Sequence, residues 1–375
     1  MQMRAAVLRE MRLPRPYAAS RPLEIDEVQL QPPGPGEVLV AIKAAGLCHS
    51  DLSVIDGVRP RPMPMVLGHE GAGVVEELGE GVTEFQVGDH VVAAFVPSCG
   101  DCEPCRIGRP ALCEPGAISN SAGTLLSGSR RLHRGGAAIN HHLGVSAFAQ
   151  FATVSQRSLV RVDRSLPFEQ AAVFGCAVIT GVGAVVNTAR VPPAARVAVI
   201  GLGGVGIAAL LGARAAQAKD LIAVDISDAK LALARDLGAT HTFNAQQADC
   251  VERLREATRG GVDFAFEMAG SAKAMSLAYQ VTRRGGTTVT AGLPDPSAQF
   301  AVSHVGLVAE ERTVKGSYLG SCDPRRDIPR YIEWFHEGRL PIDRLLAPAV
   351  GLEGINEAFD RLADGATGRQ VLRIA

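Results

Sequence analysis

The chain is short of the features that mark proteins for membranes, nucleic acids or an oxidising exterior. Its formal net charge is −1, from 38 Lys and Arg against 39 Asp and Glu. Such a balance gives no electrostatic reason to expect a nucleic acid or an anionic membrane as partner. It holds eight cysteines in 375 residues, too few for a disulfide-dense scaffold. Its first ten residues, from Met1 to Glu10, contain no apolar stretch of signal length, so no secretory signal is expected. Only residues 197–213 come near the lower bound of a membrane span. That run holds five glycines and follows Pro192 and Pro193, so it reads as a buried strand turning into a buried helix. There is no internal repeat and no low-complexity tract.

What the chain does have is ordinary globular material in quantity. Hydrophobic residues make up 47% and charged residues 21%, close to the averages of folded domains. The length suggests two or three domains.

The first third reads as β-rich. Residues 38–44 and 73–78 are short strand-like runs, punctuated by Pro32, Pro33, Gly34, Pro35 and Gly36 and by Gly79 and Gly81. Gly88 and Asp89 form a turn into a strand at residues 91–94. Residues 115–140, rich in Ser, Gly and Arg, read as a long surface excursion. The middle third changes character. Strands at residues 196–200, 221–224, 262–267 and 287–290 alternate with helices at 205–218 and 228–237. That alternation implies a parallel sheet with crossover helices. Helices at 328–337 and 355–363 and a strand at 370–374 finish the chain.

Four cysteines, Cys99, Cys102, Cys105 and Cys113, fall within fifteen positions. Local clustering in a chain without a signal peptide points to metal in a reducing compartment. Four thiolates surround zinc tetrahedrally and leave no open position, the pattern of a structural site. Gly100, Pro104 and Gly108 permit its tight turns. Binding of this kind supplies on the order of 10 kcal/mol of folding free energy. Disulfide pairs and an iron–sulfur cluster are the competing readings. The last gap and the mixed charge of the surrounding residues fit zinc better.

Gly201, Gly203, Gly204, Val205 and Gly206 form a G-x-G-x-x-G turn. It follows an apolar strand and opens a helix, the context in which the motif carries meaning. The first glycine allows the turn, the second admits a pyrophosphate, and the third allows close helix–strand packing. The helix N-terminus offers free N–H groups to anionic oxygens. Asp225 ends the next strand, nineteen residues beyond Gly206. A carboxylate there accepts from a ribose 2′-hydroxyl and repels a 2′-phosphate, which favours NAD over NADP. Lys230 is placed against the adenosine ribose.

Three further short motifs contain Cys48 with His49, Ser50 and Asp51, His69 with Glu70, and Cys176. Two cysteines and a histidine make a set with a fourth position open to substrate, as in catalytic zinc sites. Spacing alone does not join them. Taken with Gly46, Gly68, Gly71, Gly73, Gly88, Asp89 and His90, the four-cysteine lobe and the Gly201 turn, in that order, the chain resembles the zinc-dependent medium-chain alcohol dehydrogenases. The resemblance covers nearly the whole chain. It is nearest the longer-subunit group of liver-type and bacterial aryl or benzyl alcohol dehydrogenases, whose extra loop matches residues 115–140.

The resemblance implies an α/β fold in which a doubly wound Rossmann domain, residues 178–320, is inserted in a GroES-like catalytic domain. That catalytic domain would take residues 1–177, with the zinc lobe at 95–115, and regain the chain at 321–375. It implies two zinc ions per subunit and NAD. Cys48, His69 and Cys176 would hold the catalytic zinc, with Glu70 behind it as a transient ligand. Asp51 would orient His69, and Ser50 would bond the substrate hydroxyl. Thr180 would meet the nicotinamide ring, and His49 and Arg369 the pyrophosphate. Phe95 and Leu143 would line the substrate pocket. Liver-type enzymes carry a proton-relaying histidine five residues after the first cysteine; here that position is Ser53. The relay therefore runs through water, Ser53 or His49. The expected activity is reversible oxidation of a primary, aromatic or secondary alcohol in the cytoplasm, by a homodimer or tetramer. Glutathione-dependent formaldehyde dehydrogenase, a polyol dehydrogenase, and a zinc-free or non-catalytic relative are the alternatives.

Overall fold

The computed structural model describes residues 1–374 and divides them into two compact units. The first comprises residues 1–176, 323–329 and 346–374, and the second residues 177–322 and 330–345.

In the first unit, Gln2–Leu8, Leu23–Leu30, Leu132–Arg134, Ala137–His141 and Met65–Val66 close a small barrel. A second sheet runs in the order Leu159–Arg161, His90–Ala93, Glu70–Leu78, Glu37–Gly46 and Val371–Arg373, with Phe151–Ser155 also paired to Glu37–Gly46. Alternating apolar side chains from these strands meet in one core that includes Leu8, Val40, Leu67 and Phe148. Phe359 and Leu372, from the end of the chain, pack into the same core. The returning chain therefore completes this unit.

In the second unit six parallel strands lie in the order His241–Asn244, Asp220–Asp225, Arg196–Ile200, Val262–Glu267, Thr282–Thr290 and Thr313–Gly316. The order runs outward in both directions from Arg196–Ile200, as in doubly wound folds. The strands Arg196–Ile200 and Asp220–Asp225 are nearly continuous apolar runs, as central parallel strands covered on both faces are. The apolar segment at 197–213 divides as expected, into that first strand and the helix Gly204–Ala215. A different stretch, Phe168–Ala189, is the one among the described residues long and apolar enough to cross a membrane, and 78% of its most apolar window is buried in the protein.

Two expectations need correction. Residues 115–140 are more than a surface excursion with little periodicity. They hold the helix Glu114–Ala122, capped by the Cys113 sulfur on Gly116 N–H, and the strand Leu132–Arg134 that helps close the barrel. Arg131 pairs with the buried Glu37 at 2.7 Å, which gives the arginines there a structural use. Residues 330–345, expected with the first unit, group with the second. Tyr331 accepts from Asn187 at 3.2 Å, and Arg339 donates to the Ala215 carbonyl at 3.1 Å.

Candidate active site and metal centres

Cys48 is the N-cap of a seven-residue helix, His49–Ile55, and Asp51 is its third residue. Each satisfies the other: the Cys48 sulfur accepts from the Asp51 N–H, and the Asp51 carboxylate accepts from the Cys48 N–H at 3.2 Å. This capping box fixes both side chains through backbone groups that a helix start leaves open. His69 follows Gly68, whose φ is 92° and whose added Cβ would lie 2.6 Å from the Phe148 ring. Only glycine fits there without strain. Cys176 lies in the helical stretch Phe174–Val178.

These elements bring Cys48, His69, Glu70 and Cys176 together, with ligand atoms all within 4.8 Å of one another and every residue buried. His69 Nε2 and Glu70 Oε2 are buried without a hydrogen-bond partner. Unpaired buried polar atoms are costly, and in native proteins they call for a ligand. Two thiols, an imidazole and a carboxylate converging on one point make a donor set that suits zinc. Cys176 hydrogen-bonds Cys48; against the burial penalty, that bond and the Arg369 charge hold the Cys48 thiol well below its usual range. Cys176 is raised in turn, first by Cys48.

The surrounding contacts orient the donors. Asp51 Oδ1 lies 3.1 Å from His69 Nδ1 and 3.1 Å from the Gly68 N–H. Burial opposes the Asp51 charge, but His69 and His142 hold the carboxyl well below its ordinary value. His69 is raised: burial opposes its charge, and Asp51 outweighs that. Glu70 is pushed up to about 7, first by burial, while Arg369 pulls the other way. Arg369 itself is buried and donates to Glu70. The Arg369 head group stands behind the donor cluster, where it balances a buried carboxylate, while its Nε has no hydrogen-bond partner. Ser50 Oγ stands 3.8 Å from the Cys48 sulfur, and Ser53 Oγ donates to the Ser50 carbonyl at 2.9 Å. His49 is exposed at the first turn of the helix.

Phe95 and Leu143 are both buried, and the Phe95 ring meets His69 edge-on at 5.4 Å. Leu143 adopts φ 51°, in the left-handed region that a leucine takes only when its surroundings impose it. Beside it stands a residue the sequence reasoning missed. His142 is almost fully buried, its ring centroid 5.5 Å from that of His69 in an edge-on arrangement, and its Nδ1 is 3.1 Å from the same Asp51 oxygen. That nitrogen is not aligned for a hydrogen bond, so the contact is electrostatic. No spacing rule marks His142.

The second cluster is the lobe. The sulfurs of Cys99, Cys102, Cys105 and Cys113 also lie within 4.8 Å of one another, three half-buried and one buried. Backbone N–H groups reach the sulfurs: Cys102 and Asp101 donate to Cys99 at 3.3 and 3.4 Å, and Cys99 donates to Cys113 at 3.2 Å. Burial raises the Cys99 thiol, and those N–H groups bring it down to about 7.

In the second unit, Gly201 has φ 91°, and a Cβ on Gly206 would lie 1.8 Å from the Gly201 carbonyl oxygen. The turn and the close packing expected of these glycines are both present. Gly203 caps the following helix, in which Gly204 and Val205 are half-buried. Asp225 is buried at its strand end; its carboxylate accepts from Leu202 N–H at 2.6 Å and Ser227 N–H at 2.9 Å. Lys230 is half-buried on the next helix. Thr180 is buried with its hydroxyl unpaired.

A sheet switching direction beside a glycine turn, together with two cysteine-rich donor clusters, defines a metal-dependent dehydrogenase class. Residues 34–164 match the family model of the alcohol dehydrogenase GroES-like domain, and residues 204–337 that of the zinc-binding dehydrogenases. The chain is 42% identical over 360 residues to "Putative alcohol dehydrogenase D" of Mycobacterium tuberculosis, covering 95% of this chain and 97% of that one. The benzyl alcohol dehydrogenase of Acinetobacter calcoaceticus shares 34% identity and superposes with a TM-score of 0.93 over the whole of both chains. An alcohol dehydrogenase zinc-binding domain protein of Burkholderia ambifaria shares 35%, with a TM-score of 0.94 over 100% of this chain and 99% of that one. The protein belongs to the zinc-binding alcohol dehydrogenases of the medium-chain type, and its activity is that of an alcohol dehydrogenase-type oxidoreductase.

Proposed function

We propose that the protein oxidises primary alcohols, aromatic ones foremost, reversibly to aldehydes with NAD as hydride acceptor. The observation that carries this is the buried convergence of Cys48, His69, Glu70 and Cys176, with His69 Nε2 unpaired. Likeness to a benzyl alcohol dehydrogenase supports the aromatic preference. Cys48, His69 and Cys176 would hold the catalytic zinc, and Cys99, Cys102, Cys105 and Cys113 a structural one. When bound, zinc at the first site supplies Lewis acidity, which makes ionisation of a hydroxyl accessible near neutral pH.

The residues of the chain do the rest. Asp51 holds His69 in the tautomer that leaves Nε2 free, through the 3.1 Å contact to Nδ1. Ser50, close to the Cys48 sulfur, would take the hydroxyl proton from the alcohol as it releases its own. Ser53 donates its hydroxyl proton to the Ser50 carbonyl, so a relay through it would require that hydroxyl to turn and release its own proton to solvent as it takes one from Ser50. Glu70 and Arg369 form a buried counter-charge behind the donors. In the second unit the Gly203-capped helix offers N–H groups to a pyrophosphate. Thr180 would meet the nicotinamide. Asp225 keeps lone pairs for a ribose hydroxyl and sets a negative charge against any 2′-phosphate.

A second copy of the chain is the proposed partner. The edge strand Thr313–Gly316 is wholly exposed, and Val305 and Val308 are 75% and 67% exposed on the preceding helix. A cytoplasmic location suits the two donor clusters, whose cysteines Cys99, Cys102, Cys105 and Cys113 and Cys48 with Cys176 act as ligands only when reduced. The coenzyme test is direct. Benzyl alcohol, ethanol and 2-propanol are assayed with NAD and NADP. The expected result is turnover of benzyl alcohol with NAD favoured by about tenfold or more; a strong preference for NADP would sink the role given to Asp225.

A further inference from the structure

We propose that Glu267 is a positioning residue of the dinucleotide site, whose carboxylate holds residues 268–271 as a preformed wall of the cofactor crevice. The proposal rests on the reading of the second unit as the NAD-binding unit.

The strand order turns between Arg196–Ile200 and Val262–Glu267. In open parallel sheets, ligands bind beyond the carboxyl ends of the strands at such a switch point. Ile200 and Glu267 are register partners, and both are last in their strands. The two loops that follow touch: a Cβ built on Gly201 would lie 2.7 Å from the Ala269 backbone nitrogen. Whatever fixes residues 268–271 therefore fixes one side of the glycine turn.

Glu267 is 1% exposed. Among the described residues no cation forms an ion pair with it. A buried carboxylate in that position is expensive unless hydrogen bonds satisfy it. Here they do. Oε1 accepts from Gly270 N–H at 2.6 Å, Ala269 N–H at 2.9 Å and Ser271 N–H at 3.4 Å. Oε2 accepts from the Thr290 hydroxyl at 2.7 Å. The Glu267 backbone carbonyl accepts from Ala291 N–H at 3.0 Å and Gly292 N–H at 3.3 Å. One residue thus ties together the loops that follow two neighbouring strands. A serine or asparagine would cap a single turn. The longer carboxylate gathers three successive N–H groups on one side and reaches the next strand on the other. Loops held this way before the ligand arrives lose less entropy when it binds.

The test uses the zinc-loaded enzyme and three variants, Glu267→Gln, Glu267→Ala and Thr290→Val. NADH affinity is read by fluorescence titration, and loop order by hydrogen exchange at residues 269–271 without cofactor. Glutamine keeps a carbonyl oxygen for the three N–H groups and donates to the Thr290 hydroxyl, which can turn to accept. Glu267→Gln should stay within about threefold of the parent, and Thr290→Val should weaken binding by about as much. Glu267→Ala should weaken NADH binding by about tenfold or more. It should raise KM for NAD more than KM for the alcohol, and leave the amides at 269–271 unprotected with zinc content unchanged. Normal NADH affinity in folded Glu267→Ala would overturn the proposal. So would a Glu267→Gln variant as weak as Glu267→Ala. Titrating the parent enzyme with NADH and NADPH tests the coenzyme reading separately; binding of neither would overturn both.

Discussion

The two donor clusters of the first unit are built in opposite ways. Cys99, Cys102, Cys105 and Cys113 come from fifteen consecutive positions, turn on themselves, and lie partly in solvent with backbone N–H groups on their sulfurs. Cys48, His69, Glu70 and Cys176 come from a helix cap, a glycine turn, a strand start and a helical stretch. They are buried, and Asp51, His142 and Arg369 surround them through hydrogen bonds and charge contacts. The first arrangement needs only local chain and serves to hold a loop. The second needs the whole fold in place, and in return it offers an unpaired imidazole nitrogen in a dry setting where a cation's charge is weakly screened. Four thiols close a coordination sphere; two thiols and a histidine leave it open.

This contrast can be broken or sharpened by removing one ligand from each cluster. Cys48→Ser is expected to have the largest effect, a loss of turnover of about a thousandfold or more, since the metal's share of such reactions is several kcal/mol. Its far-ultraviolet circular dichroism should match the parent. Cys105→Ser should act on stability instead. The lobe should lose its metal and the melting temperature should fall by about 10 °C or more, while the folded fraction keeps turnover within about threefold. If Cys105→Ser abolished turnover in folded protein, the division of labour would fail.

A smaller effect separates acid loss of metal from acid unfolding. His141 is buried and pushed down to about 3, first by burial and then by Arg130 and Arg131. Its Nε2 accepts from Arg131 N–H at 3.0 Å. Unfolded, the ring takes a proton near pH 6.5. Between about pH 6.5 and 3 the unfolded chain therefore binds a proton that the folded chain refuses. The stability that neutral His141 contributes is fully present above that window and is lost as pH falls through it. His141→Asn should flatten the dependence of the urea midpoint on pH between 7 and 4.5 by about one proton. An unchanged slope would contradict the assignment.

How much of this could be read beforehand follows the same division. The lobe was legible because its ligands share one short run, and the Gly201 turn because a strand, a turn and a helix are consecutive. Cys48, His69 and Cys176 gain meaning only with the order of motifs along the whole chain. His142 and Glu267 were not legible at all. His142 meets Asp51 from a distant stretch of chain, beside a left-handed Leu143 that nothing in the local sequence demands. Glu267 looks like an ordinary strand-end acid until the sheet brings Thr290 beside it. Residues 115–140 misled because their Ser, Gly and Arg content resembles a loop, whereas Arg131 is spent on the buried Glu37 and the neighbouring strands close a barrel. Arg369 was expected at a phosphate; its pairing with the buried Glu70 was not legible, because the two are 299 positions apart.

The most direct test of the two-cluster account is zinc stoichiometry measured together with turnover on the same purified samples. The account predicts two zinc ions per chain in the parent, one in Cys48→Ser without turnover, and one in Cys105→Ser with turnover retained. One zinc or none in an active parent, or two zincs with full turnover in Cys48→Ser, would contradict it.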